Sequence, residues 1–290
     1  MKYRIIHRTE YNYSDTATIC HNIAHLAPRN DAGQQCISHY ISVVPQPVIF
    51  EERFDYFGNR TVYFSIERPH KNMVVTATSD VEPLREAALP VSSSLWQNFA
   101  ADLEALPVAT QMNARGFMLE SSMAPHLPEV HEFARPCFEQ NATIQDAARC
   151  LMQRIFAEFK YDPQFTTLAT PLARVIQHKR GVCQDFAHLA IACLRSYGLA
   201  ARYVSGYLET LPPPGQEKLV GADASHAWLS VYLPDQGWFD LDPTNNQHPD
   251  NRYVVISWGR DYSDVAPLKG VFYGGGAHEL DVAVDVERID

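Results

Sequence analysis

The sequence predicts an α+β protein, in which an N-terminal β-sandwich domain precedes a core of helices packed on an antiparallel sheet. Two observations predict this class. Strand-like runs with turn signals occupy most of residues 1–84, and such runs return after residue 199. Between them, apolar residues recur with a helical period in residues 144–159 and 185–197.

The N-terminal domain, residues 1–84, is predicted from short runs rich in aromatic and β-branched side chains. These runs cover residues 2–13, 39–44, 53–57, 61–66 and 74–78. A turn pair, Gly58 and Asn59, separates two of them. Short strands with turn signals between them and no helical period are typical of a β-sandwich.

A helical bridging region is predicted over residues 85–154. It leads into the clearest helix of this part of the chain, at residues 144–159, and Thr143 is suited to the N-cap position. No long polar linker follows, so we expect this region to pack firmly on the next unit.

The core, residues 155–290, is predicted to hold a helix, a sheet and a C-terminal strand segment. Its helix covers residues 185–197, and Gly198 follows as a C-cap. Strand-like runs come next, at residues 200–208, 226–233 and 237–242, with a proline-rich surface loop at residues 212–215.

The composition excludes several classes of protein. With 46% hydrophobic and 20% charged residues, the chain resembles an ordinary globular protein. A formal net charge of −10, with no run of lysine and arginine, argues against nucleic acid as a partner. No stretch reaches the roughly 20 apolar residues of a membrane span, and the N-terminus has no apolar signal core. We therefore expect no membrane partner and a cytoplasmic location.

The six cysteines are scattered and contain no CxxC pair. Without a secretory context we expect neither a disulfide framework nor a zinc site, and no other metal or cofactor is indicated. By default each cysteine is a small buried hydrophobe. The six are Cys20, Cys36, Cys137, Cys150, Cys183 and Cys193.

Cys183 differs from the others because it lies where a glycine-bearing loop meets a helix. Unpaired N–H groups at a helix start carry positive potential, which stabilises a thiolate and can hold an oxyanion. Cys193 and Cys150 lie within predicted helices and are interpreted as structural. Position alone does not identify a nucleophile, since most free cysteines are simply buried.

A histidine and an aspartate supply the partners. Strand alternation places His226 on the face opposite an aliphatic one, and a hairpin brings it to the same face as Asp240 and Asp242. The competing interpretation is an exposed pair on a solvated sheet face. His188 is predicted to point away from Cys183, and His178 has no matching carboxylate.

Three segments in this order resemble the signature of the transglutaminase-like superfamily. They are Gly181-Val182-Cys183-Gln184-Asp185-Phe186-Ala187, Ser225-His226-Ala227-Trp228 and Trp238-Phe239-Asp240-Leu241-Asp242-Pro243-Thr244. The resemblance implies a papain-like α+β core and acyl transfer on amides, without a calcium requirement. It also implies a triad of Cys183, His226 and Asp242, rather than Asp240.

Two further segments resemble bacterial transglutaminase-like proteins in particular. They are Asp55-Tyr56-Phe57-Gly58-Asn59, a turn of the N-terminal domain, and residues 259–267, a closing segment. The sequence shows no match for the tryptophan that helps to form the oxyanion hole of the animal enzymes. A second oxyanion donor, beside the backbone N–H of Cys183, is therefore not identified.

The expected function is cysteine-dependent hydrolysis of a peptide or protein substrate through a thioester, because water is always present as an acceptor. Two alternatives stay open: transfer of the acyl group to an amine, and a non-catalytic binding protein with the same fold. The sequence leaves the oligomeric state undetermined.

Overall fold

A computed structural model confirms the α+β class and shows two antiparallel sheets with helices packed on the second. It describes residues 1–85, 89, 91–210 and 225–289. The surface loop predicted at residues 212–215 lies outside these residues.

The N-terminal sheet is built around one long strand. Strand β1 (Tyr3–Ala24) has 22 residues, and its pairing register shifts between Asn12 and Ala17. The strands lie in the order β2-β5-β1-β4-β3. Besides β1, the strands in this order are β2 (Gln34–Val44), β3 (Ile49–Phe54), β4 (Arg60–Ile66) and β5 (His70–Pro83).

The register shift lets β1 take part in both halves of the sheet. Its first half pairs with β5 and its last residues pair with β4. Side chains from the two halves, including Phe64 of β4 and Val75 of β5, meet in a single buried cluster. The N-terminal β-domain is therefore a sandwich whose two layers share a bent strand.

Two strands at the C-terminal end of the chain belong to this N-terminal sheet. Strands β12 (Leu268–Gly274) and β13 (His278–Arg288) both pair with β1. Assigning the C-terminal strand segment to the core was therefore wrong. Alternation shows that a segment is a strand, but it carries no information about which distant strand supplies its hydrogen bonds.

The bridging region is helical, as predicted. The helices are α1 (Phe99–Glu104), α2 (Val108–Gly116), α3 (Pro128–Ala134) and α4 (Ile144–Glu158). Thr143 caps α4, since its hydroxyl accepts a hydrogen bond of 3.0 Å from the N–H of Asp146. This confirms the N-cap prediction.

A disulfide joins Cys137 to Cys150, with 5.5 Å between the two Cα atoms. Our expectation that the cysteines would stay unpaired was wrong for these two. Cys137 ends a 3-10 turn (Arg135–Cys137) that packs against α4, where Cys150 lies. The two thiols are neighbours because of tertiary packing, which their spacing of 13 residues does not reveal.

In the core, four antiparallel strands lie in the order β10-β9-β8-β11. They are β8 (Ala201–Leu208), β9 (Ser225–Leu233), β10 (Gly237–Leu241) and β11 (Tyr253–Gly259). Helix α6 (Cys183–Ser196) packs on β8 and β9, and its aliphatic neighbours on β9 include Leu229 and Val231. Gly198 follows α6 with a φ of +75°, as the C-cap prediction requires.

One turn of the N-terminal domain is hydrogen-bonded to the core sheet. In the turn between β3 and β4, Asn59 is fully buried. Its side-chain amide donates to the carbonyl of Trp258 in β11 over 2.8 Å, and its side-chain oxygen accepts from the Trp258 N–H over 3.0 Å. The guanidinium of Arg29 lies 3.4 Å from the centre of the Trp258 ring. The turn that resembled the bacterial proteins therefore connects the domains.

Within the residues that the structure describes, no helix is both long enough and apolar enough to cross a membrane.

Candidate active site

Cys183 is the first residue of α6, as predicted, and the helix start around it is open. The preceding residue, Val182, is aliphatic and makes no side-chain capping bond. Instead, Asp185 accepts a hydrogen bond of 2.8 Å from the N–H of Val182. The Val182 side chain therefore does not cap the N–H groups of the first turn, which point toward the thiol.

Gly181 allows this arrangement. A Cβ atom at this position would lie 2.8 Å from both the Cβ and a carboxyl oxygen of Asp185, which is closer than real Cβ contacts come. Any side chain at position 181 would therefore push Asp185 away from Val182 and displace the start of α6.

His226 and Asp242 meet as the hairpin predicted. In the β9–β10 pair Leu229 lies opposite Leu241, which places Asp242 and His226 on one face. The Nε2 atom of His226 lies 2.7 Å from Oδ2 of Asp242. The thiol of Cys183 acts on the same imidazole, because it helps to raise the pKa of His226.

Asp242 is fully buried and is held by several donors. Its two carboxyl oxygens accept hydrogen bonds from His226, Tyr253, Asn245 and the backbone N–H of Thr244. Burial alone would raise the pKa of this carboxyl, but the bonds from His226 and its other donors lower the pKa below its ordinary value. Asp242 is therefore a buried carboxylate.

The charge state of His226 follows from its two neighbours. Burial opposes the charged form, yet the hydrogen bonds and charges of Asp242 and Cys183 together raise the pKa of the imidazole to about 10. The ring is therefore an imidazolium at neutral pH.

A solvated sheet face, the competing interpretation, is wrong for this pair. Asp242 is buried, and the His226 side chain is only 11% exposed. Trp228, on the same face of β9, is completely buried with its ring 6.1 Å from that of His226. Tyr253 packs edge-on against Trp228 at 5.3 Å. Two aromatic rings thus keep water away from the charged pair.

The other acidic and histidine candidates serve structural roles. Asp240 accepts a hydrogen bond from Ser230 and lies 3.6 Å from Arg85, so it is not a partner of His226. His188 accepts a hydrogen bond from the N–H of Tyr262, and its burial lowers its pKa to about 4. His178 packs its ring against Phe165 at the end of helix α5 (Leu172–His178).

The remaining free cysteines also differ from Cys183. Burial raises the pKa of the thiols of Cys20, Cys36 and Cys193, and Cys193 lies in the main core. In the part of the chain that the structure describes, Cys183 is the free cysteine that contacts an imidazole. Among the same residues, no cluster of histidine, cysteine and carboxylate side chains could hold a metal ion.

Sequence reasoning missed Tyr253 and Asn245. Asn245 lies three residues after Asp242, where an Asp-x-x-Asn turn could have indicated it. Tyr253 comes from the next strand, β11, and no local pattern connects it with Asp242.

Comparison with known proteins places this geometry in a family. Residues 131–243 match the model of the transglutaminase-like superfamily, and residues 3–82 match that of the bacterial transglutaminase-like N-terminal region. An uncharacterized protein of Mycobacterium tuberculosis is 41% identical over 292 residues, which cover 98% of this chain and 92% of that protein. The chain belongs to the transglutaminase-like superfamily. The resemblance found in its three motifs is thereby confirmed.

Two further similarities complete the comparison. A crystal structure of a "Putative Cysteine Protease" from Cytophaga hutchinsonii superimposes with a TM-score of 0.76 at 21% identity. It covers 100% of this chain and 91% of its own, which shows a common fold. A protein-glutamine gamma-glutamyltransferase of Pseudomonas aeruginosa is 28% identical over 160 residues, covering 51% of this chain and 23% of that protein. Membership of this superfamily supports cysteine-based catalysis in general.

Proposed function

We propose that this transglutaminase-like protein hydrolyses amide bonds of a peptide or protein through a thioester on Cys183. The observation that carries the proposal is the position of His226, between the buried carboxylate of Asp242 and the thiol at the start of α6. In such an arrangement the aspartate fixes the imidazole, and the imidazole moves the protons.

In the first half of the reaction the thiolate of Cys183 attacks the amide carbonyl. A carbon–sulfur bond forms, and the carbonyl electron pair moves to oxygen, where N–H groups at the helix start stabilise the charge. The carbonyl then re-forms and the carbon–nitrogen bond breaks. The imidazolium of His226 gives its proton to the departing amine.

In the second half, neutral His226 takes a proton from water as the water oxygen attacks the thioester. The carbon–sulfur bond breaks, a carboxylic acid leaves, and the thiolate–imidazolium pair is restored. Asp242 keeps one ring nitrogen occupied throughout, so the other nitrogen stays directed at the sulfur.

Transfer of the acyl group to an amine is the second candidate. The similarity to the Pseudomonas gamma-glutamyltransferase favours it, over 51% of this chain. We favour hydrolysis because an amine must be bound next to the thioester, whereas water reaches it without a site. A binding protein without chemistry is disfavoured, because a free thiol, an imidazole and a buried carboxylate come together here in the arrangement that acyl transfer requires.

The test uses p-nitrophenyl acetate as acyl donor and dansylcadaverine as competing amine, with Cys183→Ala as the control. The proposal predicts a burst of p-nitrophenolate that Cys183→Ala lacks, followed by release of acetate. Acetyl-dansylcadaverine as the main product would support amine transfer instead. If the variant and the wild-type protein react at equal rates, Cys183 has no catalytic role.

A glutamine peptide incubated with the same fluorescent amine gives a second comparison on an amide. Incorporation of the amine into the peptide would overturn the preference for hydrolysis. The proposal predicts no incorporation.

A further inference from the structure

Tyr161 is fixed beside the loop that carries the nucleophile. The short strands β6 (Lys160–Tyr161) and β7 (Arg180–Gly181) pair in parallel, with Tyr161 opposite Gly181. The N–H of Lys160 donates to the carbonyl of Lys179, and the N–H of Asp162 donates to that of Gly181, each over 2.9 Å. Paired strands lie about 5 Å apart, and Gly181 is two residues before Cys183.

Ion pairs hold both ends of this small sheet. The guanidinium of Arg180 lies 3.5 Å from the carboxylate of Asp162. The ammonium of Lys179 is hydrogen-bonded to Glu158, at the end of α4. Tyr161 is therefore held in a defined position relative to Cys183, although the two residues are far apart in sequence.

The phenol of Tyr161 is both accessible and protonated. The residue is 52% exposed, so a substrate that reaches Cys183 can also reach this side chain. Burial of part of the ring and the neighbouring Cys183 raise the pKa of the phenol, which therefore keeps its proton at neutral pH.

A second tyrosine near the nucleophile does not meet these requirements. Burial and the neighbouring Cys183 raise the pKa of Tyr203. Its ring, however, is buried in the core and stacks on His188 with 4.9 Å between ring centres. A substrate carbonyl cannot approach a ring in that position.

We propose that the hydroxyl of Tyr161 is the second donor to the oxyanion, across from the backbone N–H of Cys183. This inference rests on the proposed function. When the thiolate forms its bond to the carbonyl carbon and the π electrons move to oxygen, the phenol donates a hydrogen bond to that oxygen and keeps its proton. The donor is released when the carbonyl re-forms and the leaving group departs.

The experiment compares two reactions of Cys183 in wild type and in Tyr161→Phe. Acylation by p-nitrophenyl acetate passes through an oxyanion, whereas alkylation by iodoacetamide displaces iodide at a saturated carbon and forms none. Removal of one oxyanion donor costs on the order of 10² to 10³ in rate. We expect acylation of Tyr161→Phe to fall by at least about tenfold, and alkylation to stay within about twofold of wild type.

Tyr40→Phe, at a 70% exposed position on β2, is the matched control, and we expect both of its rates to be those of wild type. Unchanged acylation in Tyr161→Phe overturns the inference. Equal falls in both reactions also overturn it, because the phenol would then act on the sulfur and not on the oxyanion. If iodoacetamide does not label Cys183 of the wild-type protein faster than Cys36, the proposed function itself fails.

Discussion

The Nε2 atom of His226 lies 2.7 Å from the Oδ2 atom of Asp242, and no part of that aspartate is exposed to solvent. A carboxylate buried without partners would be protonated, so the imidazolium and the other donors around Asp242 keep it charged. The carboxylate in return keeps the imidazole charged and turned toward Cys183. Each charge therefore depends on the other.

Replacement of Asp242 by asparagine removes the charge but preserves the shape of the side chain. Without the carboxylate, the ring loses the group that fixes its tautomer, and we expect kcat to fall by about 10³ to 10⁴. Turnover of p-nitrophenyl acetate measures this. Asp240→Asn, two residues earlier on the same face, is the control, and an equal loss there contradicts the role assigned to Asp242.

The pH dependence of stability follows from the raised pKa of His226. The folded pKa is about 10, against an ordinary value of 6.5. Because the folded state binds this proton more tightly, the stabilisation is complete below pH 6.5 and is lost as pH rises toward 10. Urea unfolding between pH 6 and pH 10 tests this. Wild type should lose stability relative to His226→Gln over that range, and parallel curves would contradict the prediction.

Tyr253→Phe removes one donor to Asp242 and leaves the aromatic packing on Trp228 in place. We expect about 2 kcal/mol of stability to be lost, since the hydroxyl donates to a buried charge. We also expect kcat to fall about tenfold with KM unchanged, because the phenol holds Asp242 and does not touch the substrate. Tyr232→Phe, about 20 Å along β9 from His226, serves as the control. A change in KM alone would show that Tyr253 binds substrate.

Gly181→Ala tests why glycine precedes the nucleophile. The added methyl group would lie 2.8 Å from Asp185, and overpacking of this kind costs about 1–3 kcal/mol. Thermal unfolding should show that loss, and alkylation of Cys183 should slow as the start of α6 shifts. Gly116→Ala is the matched control, because a Cβ there would meet nothing closer than 4.0 Å. If Gly181→Ala were as stable as the wild-type protein, the close packing of Gly181 against Asp185 would be contradicted.

The disulfide between Cys137 and Cys150 closes a short loop on α4. A disulfide that closes a loop of this length stabilises the folded protein by about 3 kcal/mol, because it restricts the unfolded chain. We expect dithiothreitol to lower the free energy of unfolding of the wild-type protein by about that amount, and to leave Cys150→Ala unchanged. An equal response of both proteins would contradict the pairing.

Much of the fold could be predicted because the signals are local. The helix of residues 144–158 and its cap by Thr143, the C-cap at Gly198 and the alternation in β9 depend on neighbours in the sequence. The site residues could be placed for a related reason. Alternation and a short turn are sufficient to bring His226 to the same face as Asp240 and Asp242, and the resemblance to the superfamily selected Asp242.

What could not be predicted depends on contacts between distant segments. The pairing of β12 and β13 with β1, the disulfide of α4 and the hydrogen bond from Tyr253 to Asp242 all join parts of the chain whose proximity no local pattern encodes. The position of Tyr161 could not be predicted either, because a parallel pair of two-residue strands has no recognisable sequence pattern.

Mass spectrometry of the protein during turnover of p-nitrophenyl acetate tests the central claim most directly. We predict an acetyl group on the peptide that contains Cys183, absent from His226→Ala and lost on addition of hydroxylamine as a thioester should be. Acetylation spread evenly over Cys183, Cys36 and surface lysines, or equal labelling of Cys183 in His226→Ala, would contradict the claim that this imidazole activates this thiol.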